Sequence, residues 1–366
     1  MGNIELSSNS HYFSRDFSTA RSRFRDAVKE RGGRLDVLQL ESKGPSGEEL
    51  TIDIGWFGAP NPKRALVHSS GLHGVEGFAG SAIQLQWLAS SLPVLPSEAA
   101  IAIVHVLNPY GCAWLRRVNE NNVDLNRNFR APSDDGADVG REYLAFDAFL
   151  NPQSVQHLDF YYARAVALVA RYGMPNLKQA IAGGQCVRPK GIFYGGTRLE
   201  PGPELYQNYL AARLAQANWI VGIDVHTGLG RFGKDALLVD MADERGEENQ
   251  SLRKFFGEHI KPLNRDSDLY VVRGGQQDMY YRQFPNSQIH FAFQEYGTIH
   301  ALRVLAALRA ENRWHHYGSG ALNHPSKQDL LEAFCPRDEK WREKVLRRGI
   351  EVLEQAYKLA FESAPE

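Results

Sequence analysis

The chain has 366 residues, 43% hydrophobic and 23% charged, with a formal net charge of −1. This composition is ordinary for a globular protein with a sizeable core, and its neutrality excludes an electrostatic match to nucleic acid or an anionic membrane. No stretch reaches the roughly 18 to 20 apolar residues that span a bilayer, and the first residues hold no apolar run of secretory length.

In chain order, Ser18 to Arg31 is expected as a helix that stops at Gly32-Gly33. Leu50 to Phe57 alternates in the manner of a strand. Short apolar runs at Ala65–His68, Ile101–Leu107, Trp219–Val225 and Ile289–Phe293 suit buried strands. Helical periodicity marks Phe78–Ala89, Ser154–Arg171, Glu204–Gln216, Ser251–Ile260 and His300–Arg313, and Pro336–Phe361 is expected as one long amphipathic helix. Strands alternating with helices imply an α/β fold, with a mixed, mostly parallel twisted sheet covered by helices on both faces. A single catalytic domain is expected over 1–366, with a core at about 50–316, a loop-rich insertion at 132–210 and C-terminal helices at 326–362. The three cysteines, Cys112, Cys186 and Cys335, are odd in number and widely spaced, which suits small core residues kept reduced in a cytoplasm.

In such sheets ligands sit beyond the carboxyl ends of the strands. The run ending at His68 leads through a short turn into His73-Gly74-Val75-Glu76. A histidine and a glutamate three apart on a glycine-rich turn can place a nitrogen and an oxygen on one metal ion. Trp219–Val225 runs into His226, and Ile289–Phe293 runs into Glu295. Core strands have no packing reason to end in carboxylates, because an unpaired buried one is costly. His226, beside Asp224, is therefore the best candidate for a third ligand; His105 falls inside a strand and His315-His316 at a helix end. Hydrolysis at zinc also needs a base, and Glu295, on one strand face with Phe291 and Phe293, is placed to have a raised pKa.

The segments RVNENNVDLNRNF (117–129) and YVVRGGQQDMYY (270–281) complete the pattern. With the HGVE turn and QEYGT they make the chain resemble the zinc metallocarboxypeptidases of the carboxypeptidase A type, over roughly residues 50 to 300. A divergent bacterial branch is the better match than the digestive enzymes. The resemblance implies a three-layer zinc-carboxypeptidase-like sandwich and one Zn2+ per chain held by His73, Glu76 and His226. It implies further that Asn126 and Arg127 hold a substrate carboxylate and that Arg117, nine residues before Asn126, polarises the scissile carbonyl. Asp124 would orient the ring of His73, Tyr270 would be the mobile tyrosine (Tyr280 being its rival), Gln277 would select the side chain, and Glu295 would be the catalytic glutamate.

The chain departs from the pattern between Glu76 and His226, where the extra length includes GGQCVRPKGIFYGGTRLEPGPE, expected as an ordered loop over the site. The expected partner is a peptide or a small acylated amino acid, with no nucleic acid, no membrane and the oligomeric state left open. Two other functions compete. One is an amidohydrolase of small N-acyl amino acids, similar to aspartoacylases and succinylglutamate desuccinylases; the other is a non-catalytic binding protein on the same scaffold.

Overall fold

The computed structural model describes residues 9–90, 93–131, 133–134, 140–154, 159–240, 246–263 and 273–363. Its strands are β1 (Arg34–Lys43), β2 (Glu49–Gly58), β3 (Arg64–Ser70), β4 (Ala99–Val104), β5 (Trp219–Gly228), β6 (Asp235–Val239), β7 (Ile260–Pro262) and β8 (Gln288–Gly297). Its first six helices are α1 (Phe17–Glu30), α2 (Gly77–Ala89), α3 (Pro109–Ala113), α4 (Asp147–Leu150), α5 (Tyr161–Tyr172) and α6 (Met174–Ala182). The rest are α7 (Pro201–Arg213), α8 (Gly246–Phe256), α9 (Gln276–Gln283), α10 (Ala301–Tyr317), α11 (Pro325–Phe334) and α12 (Glu339–Phe361).

The strands form one sheet in the order β1-β2-β4-β3-β5-β8-β6-β7. β4, β3, β5 and β8 pair in parallel, and β2 and β6 flank them antiparallel, so the sheet is mixed and mostly parallel as expected. β5 lies near its centre and is buried along its whole length, which is why it reads as a continuous apolar run. Its side chains alternate. Val221, Ile223 and Val225 pack with Phe78 and Ile83 of α2 and Val345 and Val352 of α12. Ile220 faces the other layer, with Tyr206 and Leu210 of α7 and Met279 and Tyr280 of α9. Each such aliphatic side chain contributes about 1.5–3 kcal/mol when fully buried. Trp341 ties α12 to the end of β8 by donating its indole N–H to the Gly297 carbonyl at 2.9 Å.

Several boundaries differ from the sequence reading. The apolar run at 101–107 leaves the sheet after Val104, because His105 and Leu107 donate their N–H groups to Asp53 and Ser70 carbonyls instead. The helix expected from Ser154 begins at Tyr161 among the described residues. The expected helix 251–260 ends at Phe256, and Ile260 opens β7. The long C-terminal helix starts at Glu339, capped by Asp338, whose carboxylate accepts the Trp341 N–H at 2.8 Å.

The 132–210 region holds α4, α5, α6 and most of α7, with an irregular segment at 183–200, and it carries its own apolar cluster. Tyr143, Phe149, Tyr161, Leu177 and Ile181 pack there against Val304 and Leu308 of α10 and Phe334 of α11. Arg309 fastens it, donating to the Phe149 carbonyl and to Asp159 at 2.6 Å each, with its guanidinium over the Phe149 and Tyr161 rings. Cys112, Cys186 and Cys335 are free thiols, with Cys112 and Cys335 buried. Among the described residues no helix is long and apolar enough to cross a membrane.

Candidate metal centre

β3 ends at Ser70, and Gly71 turns the chain with φ +66°. His73 and a short 3-10 turn over Gly74–Glu76 then lead straight into α2. A Cβ on Gly74 would lie 2.0 Å from the Gly111 carbonyl carbon, so only glycine lets this turn seat against α3. The Gly74 and Val75 N–H groups donate to the carbonyls of Arg117 and Arg116 at 3.0 Å each. That pairing sets Arg117 beside the turn.

His226 and Glu295 face each other in register on β5 and β8. His73, Glu76 and His226 are buried, and one ligand atom from each lies within 4.8 Å of the others. Nδ1 of His73 lies 2.9 Å from Glu76 Oε1, and Nδ1 of His226 lies 3.4 Å from Oε2. Both imidazoles thus turn Nδ1 inward and Nε2 outward, to Asp124 at 3.0 Å and Asp224 at 2.6 Å. A carboxylate behind each ring fixes its tautomer and raises the basicity of the inward nitrogen. His73 Nδ1 is buried and has Glu76 Oε1 beside it without the alignment of a hydrogen bond, an arrangement in which a cation can receive both atoms. Two imidazole nitrogens and a carboxylate on distant elements fit a zinc-type ion.

The electrostatics follow the same geometry. Burial opposes the charge on Glu76, but His73, His226 and Arg117 outweigh it and hold the carboxyl far below its usual range. Burial disfavours a charged His226, yet Asp224 and Glu76 raise it to about 10. Nδ1 of His226 would have to give up that proton to hold a metal, so binding would be coupled to proton release. Glu295 is pushed up to about 7, first by burial and then by the charge of Glu76. It is partly open to the cavity and accepts the Leu229 N–H at 2.8 Å.

The structure brings most of the sequence-derived residues together. His73, Glu76, His226, Arg117, Asn126 and Glu295 line one cavity. Arg117 donates to Glu76 Oε1 at 2.7 Å and to Asp124 Oδ2 at 3.2 Å. Asp124 also accepts from Arg127 at 2.5 Å and from the Asn126 N–H at 3.1 Å. Its burial is outweighed by Arg127, Arg117 and His73, which hold its pKa well below normal.

Other residues sit elsewhere. Arg127 is buried and does not line the cavity; it is bonded to Asp124 and to the Ala182 carbonyl. Gln277 lines a second, adjoining cavity that shares Asn126, Leu263 and Phe293 with the first. Tyr270 lies outside the described residues. Its rival Tyr280 is fully buried, its hydroxyl 2.8 Å from that of Tyr206. Arg116 is bonded to Glu311, Asn122 and Asn312. Of the expected loop over the site, Phe193 lines the cavity and Gly184 packs on Arg127.

Sequence reasoning missed three supports. The Thr227 N–H holds Glu76 Oε2 at 2.9 Å, Ser69 Oγ donates to Asp224 at 2.6 Å, and Phe334 of α11 walls the site. It also missed the apolar cavity wall on α10, although Leu302, Leu305 and Leu308 recur at helical spacing.

A family model described as "Protein of unknown function (DUF2817)" matches residues 13–348. The chain belongs to that family. No curated protein matches this DUF2817 member. Among solved structures, carboxypeptidase A from Helicoverpa armigera is similar at 14% identity and TM-score 0.50, covering 99% of this chain and 78% of that one. Thrombin activatable fibrinolysis inhibitor is similar at 11% identity and TM-score 0.50, covering 93% of this chain and 80% of that one. The DUF2817 chain therefore has the zinc-carboxypeptidase-like fold.

Proposed function

We propose that this protein is a zinc-dependent hydrolase that cleaves an amide bond next to a C-terminal carboxylate, in the manner of a metallocarboxypeptidase. The observation that carries this reading is the grouping of His73, Glu76 and His226, with ligand atoms within 4.8 Å of one another, in a cavity also lined by Glu295 and Arg117. Zinc held by those three residues would supply Lewis-acid chemistry toward water and the amide carbonyl.

The chain's own residues do the rest. Glu295, with a pKa of about 7, takes a proton from the attacking water and returns it to the leaving nitrogen. Arg117, at the cavity wall, stabilises negative charge that develops on the carbonyl oxygen. Asp124 and Asp224 keep the two imidazoles turned inward. Asn126 offers its side chain where the two cavities meet and is assigned to the substrate carboxylate. Arg127 is assigned to it only by rearrangement away from Asp124, since its present bonds point elsewhere.

A second reading, an amidohydrolase of N-acyl amino acids, is favoured by the apolar cavity wall on α5, α6 and α10, which suits an acyl group better than a polar peptide backbone. Metal analysis and paired assays separate the possibilities. Zinc at about one per chain and turnover of acylated dipeptides support the first reading. Turnover of N-acyl amino acids alone selects the second, and a protein with neither metal nor turnover rejects both.

A further inference from the structure

The metal-site cavity does not end at the ligands. It continues between α5, α6 and α10, and on α10 its wall runs from Ala301 to Leu308. That is about 10 Å of helix, longer than an acetyl or succinyl group reaches. The wall of this lobe is nearly all apolar, with Leu168, Val169, Met174, Leu177, Leu305 and Leu308 facing the space, and Lys178 as its charged residue. Some of these side chains are only partly buried despite belonging to packed helices. An apolar wall of this kind, continuous with a hydrolytic centre, is complementary to a hydrocarbon group on the scissile bond.

The adjoining cavity has the opposite character. It is lined by Arg130, Arg273 and Arg282 together with Asp134, Asp240 and Asp278. The two meet at Asn126 and Phe293, beside the ligand cluster. A substrate lying across the centre therefore has one hydrocarbon end and one charged end.

We infer that the substrate is an N-acyl amino acid whose acyl group is a long hydrocarbon chain, the chain lying in the lobe between α5, α6 and α10 and the amino acid in the arginine-lined cavity. This rests on the amidohydrolase form of the hydrolase reading above and names the substrate class for the same site. In the reaction, water adds hydroxyl to the acyl carbon and a proton to the amide nitrogen. The C–N bond breaks, and the products are a long-chain carboxylate and a free amino acid, with no oxidant or co-reactant needed. The 132–210 region thereby acquires a role: it supplies two of the three walls that hold the chain.

The test uses acetyl-, hexanoyl- and dodecanoylglycine with the zinc-loaded full chain. Each buried methylene is expected to raise kcat/KM about three- to fourfold until the lobe is filled. Dodecanoylglycine should exceed acetylglycine by roughly a hundredfold or more. Leu168→Arg and Leu305→Arg should each lower the dodecanoyl-to-acetyl ratio at least about tenfold, a comparison made within one protein sample. Calorimetry with metal-free protein should detect dodecanoylglycine binding and none by acetylglycine at the same concentration. Equal or better turnover of acetylglycine overturns the inference and leaves the hydrolase reading intact, as does preference for an acetylated Phe-Gly dipeptide over dodecanoylglycine. If no amide is hydrolysed, the hydrolase reading fails, and the metal-free titration alone decides whether the lobe takes the chain.

Discussion

Replacing Glu295 by glutamine separates the chemistry of the site from its stability. The carboxylate is assigned as the base, a role that contributes about 10²- to 10⁴-fold to rate. The amide keeps the size of the side chain and can still accept the Leu229 N–H, now 2.8 Å from Oε1. It cannot take a proton from water, so kcat should fall by several hundredfold or more with zinc content unchanged. The stability effect has the opposite sign. Glu295 has a folded pKa of about 7 against an ordinary value of 4.5, because burial and Glu76 both disfavour its charge. Between those two values the folded chain holds a proton that the unfolded chain has lost, so the metal-free protein loses stability as pH rises through this window. The full shift corresponds to about 3 kcal/mol, and water in the cavity screens part of it, leaving about 1–3 kcal/mol. Metal-free Glu295→Gln should therefore be more stable than the parent at pH 8 and indistinguishable from it at pH 4. Denaturant melts at both pH values, with single-turnover hydrolysis of the zinc form, measure the pair of effects. A variant that hydrolyses at the parental rate, or that is less stable at pH 8, refutes the reasoning.

Asp124→Asn removes the anion behind His73 and should weaken zinc binding about 10- to 100-fold, read by competition with a chelator; parental affinity would dismiss Asp124 as an orienting group. Glu311 accepts from Arg116 at 2.9 Å and Lys327 at 2.6 Å, both with fully buried side chains. Glu311→Gln leaves two uncompensated buried cations and should cost about 3–5 kcal/mol in a urea melt, whereas a loss under about 1 kcal/mol would mean the pair is not felt by folding. His68 and His105 are held down to about 4 by burial, while the unfolded chain protonates them near 6.5. The unfolded state takes up more protons in that window, so stability falls as pH drops from about 6.5 to about 4. His105→Asn should flatten that slope, and an unchanged slope in pH-dependent melts would count against the assignment.

How much of the site was legible depends on how local its cause is. His73 and Glu76 share one turn, and their spacing alone brings their ligand atoms together. His226 and Glu295 were visible because apolar β5 and β8 run without interruption up to them. The central strands read clearly for the same reason. β1 did not, because it is an edge strand with much of its length exposed or half-buried, and β7 is only three residues long. Arg127 shows the limit of a motif. Its residue type was right for a carboxylate, but the carboxylate it meets in the folded chain is Asp124.

The amino-acid order on its own determined the alternation of strand and helix, and it singled out His73, Glu76, His226 and Glu295 as candidates, since hydrophobic period and short-range spacing act within a few residues. Only the tertiary structure decided which way each guanidinium turns, and that α5, α6 and α10 enclose an apolar lobe beside the centre. The lobe arises from contacts between segments far apart in the chain, such as Arg309 with Phe149 and Asp159. No local pattern encodes such pairings, because their energy exists only once the sheet has brought the segments together.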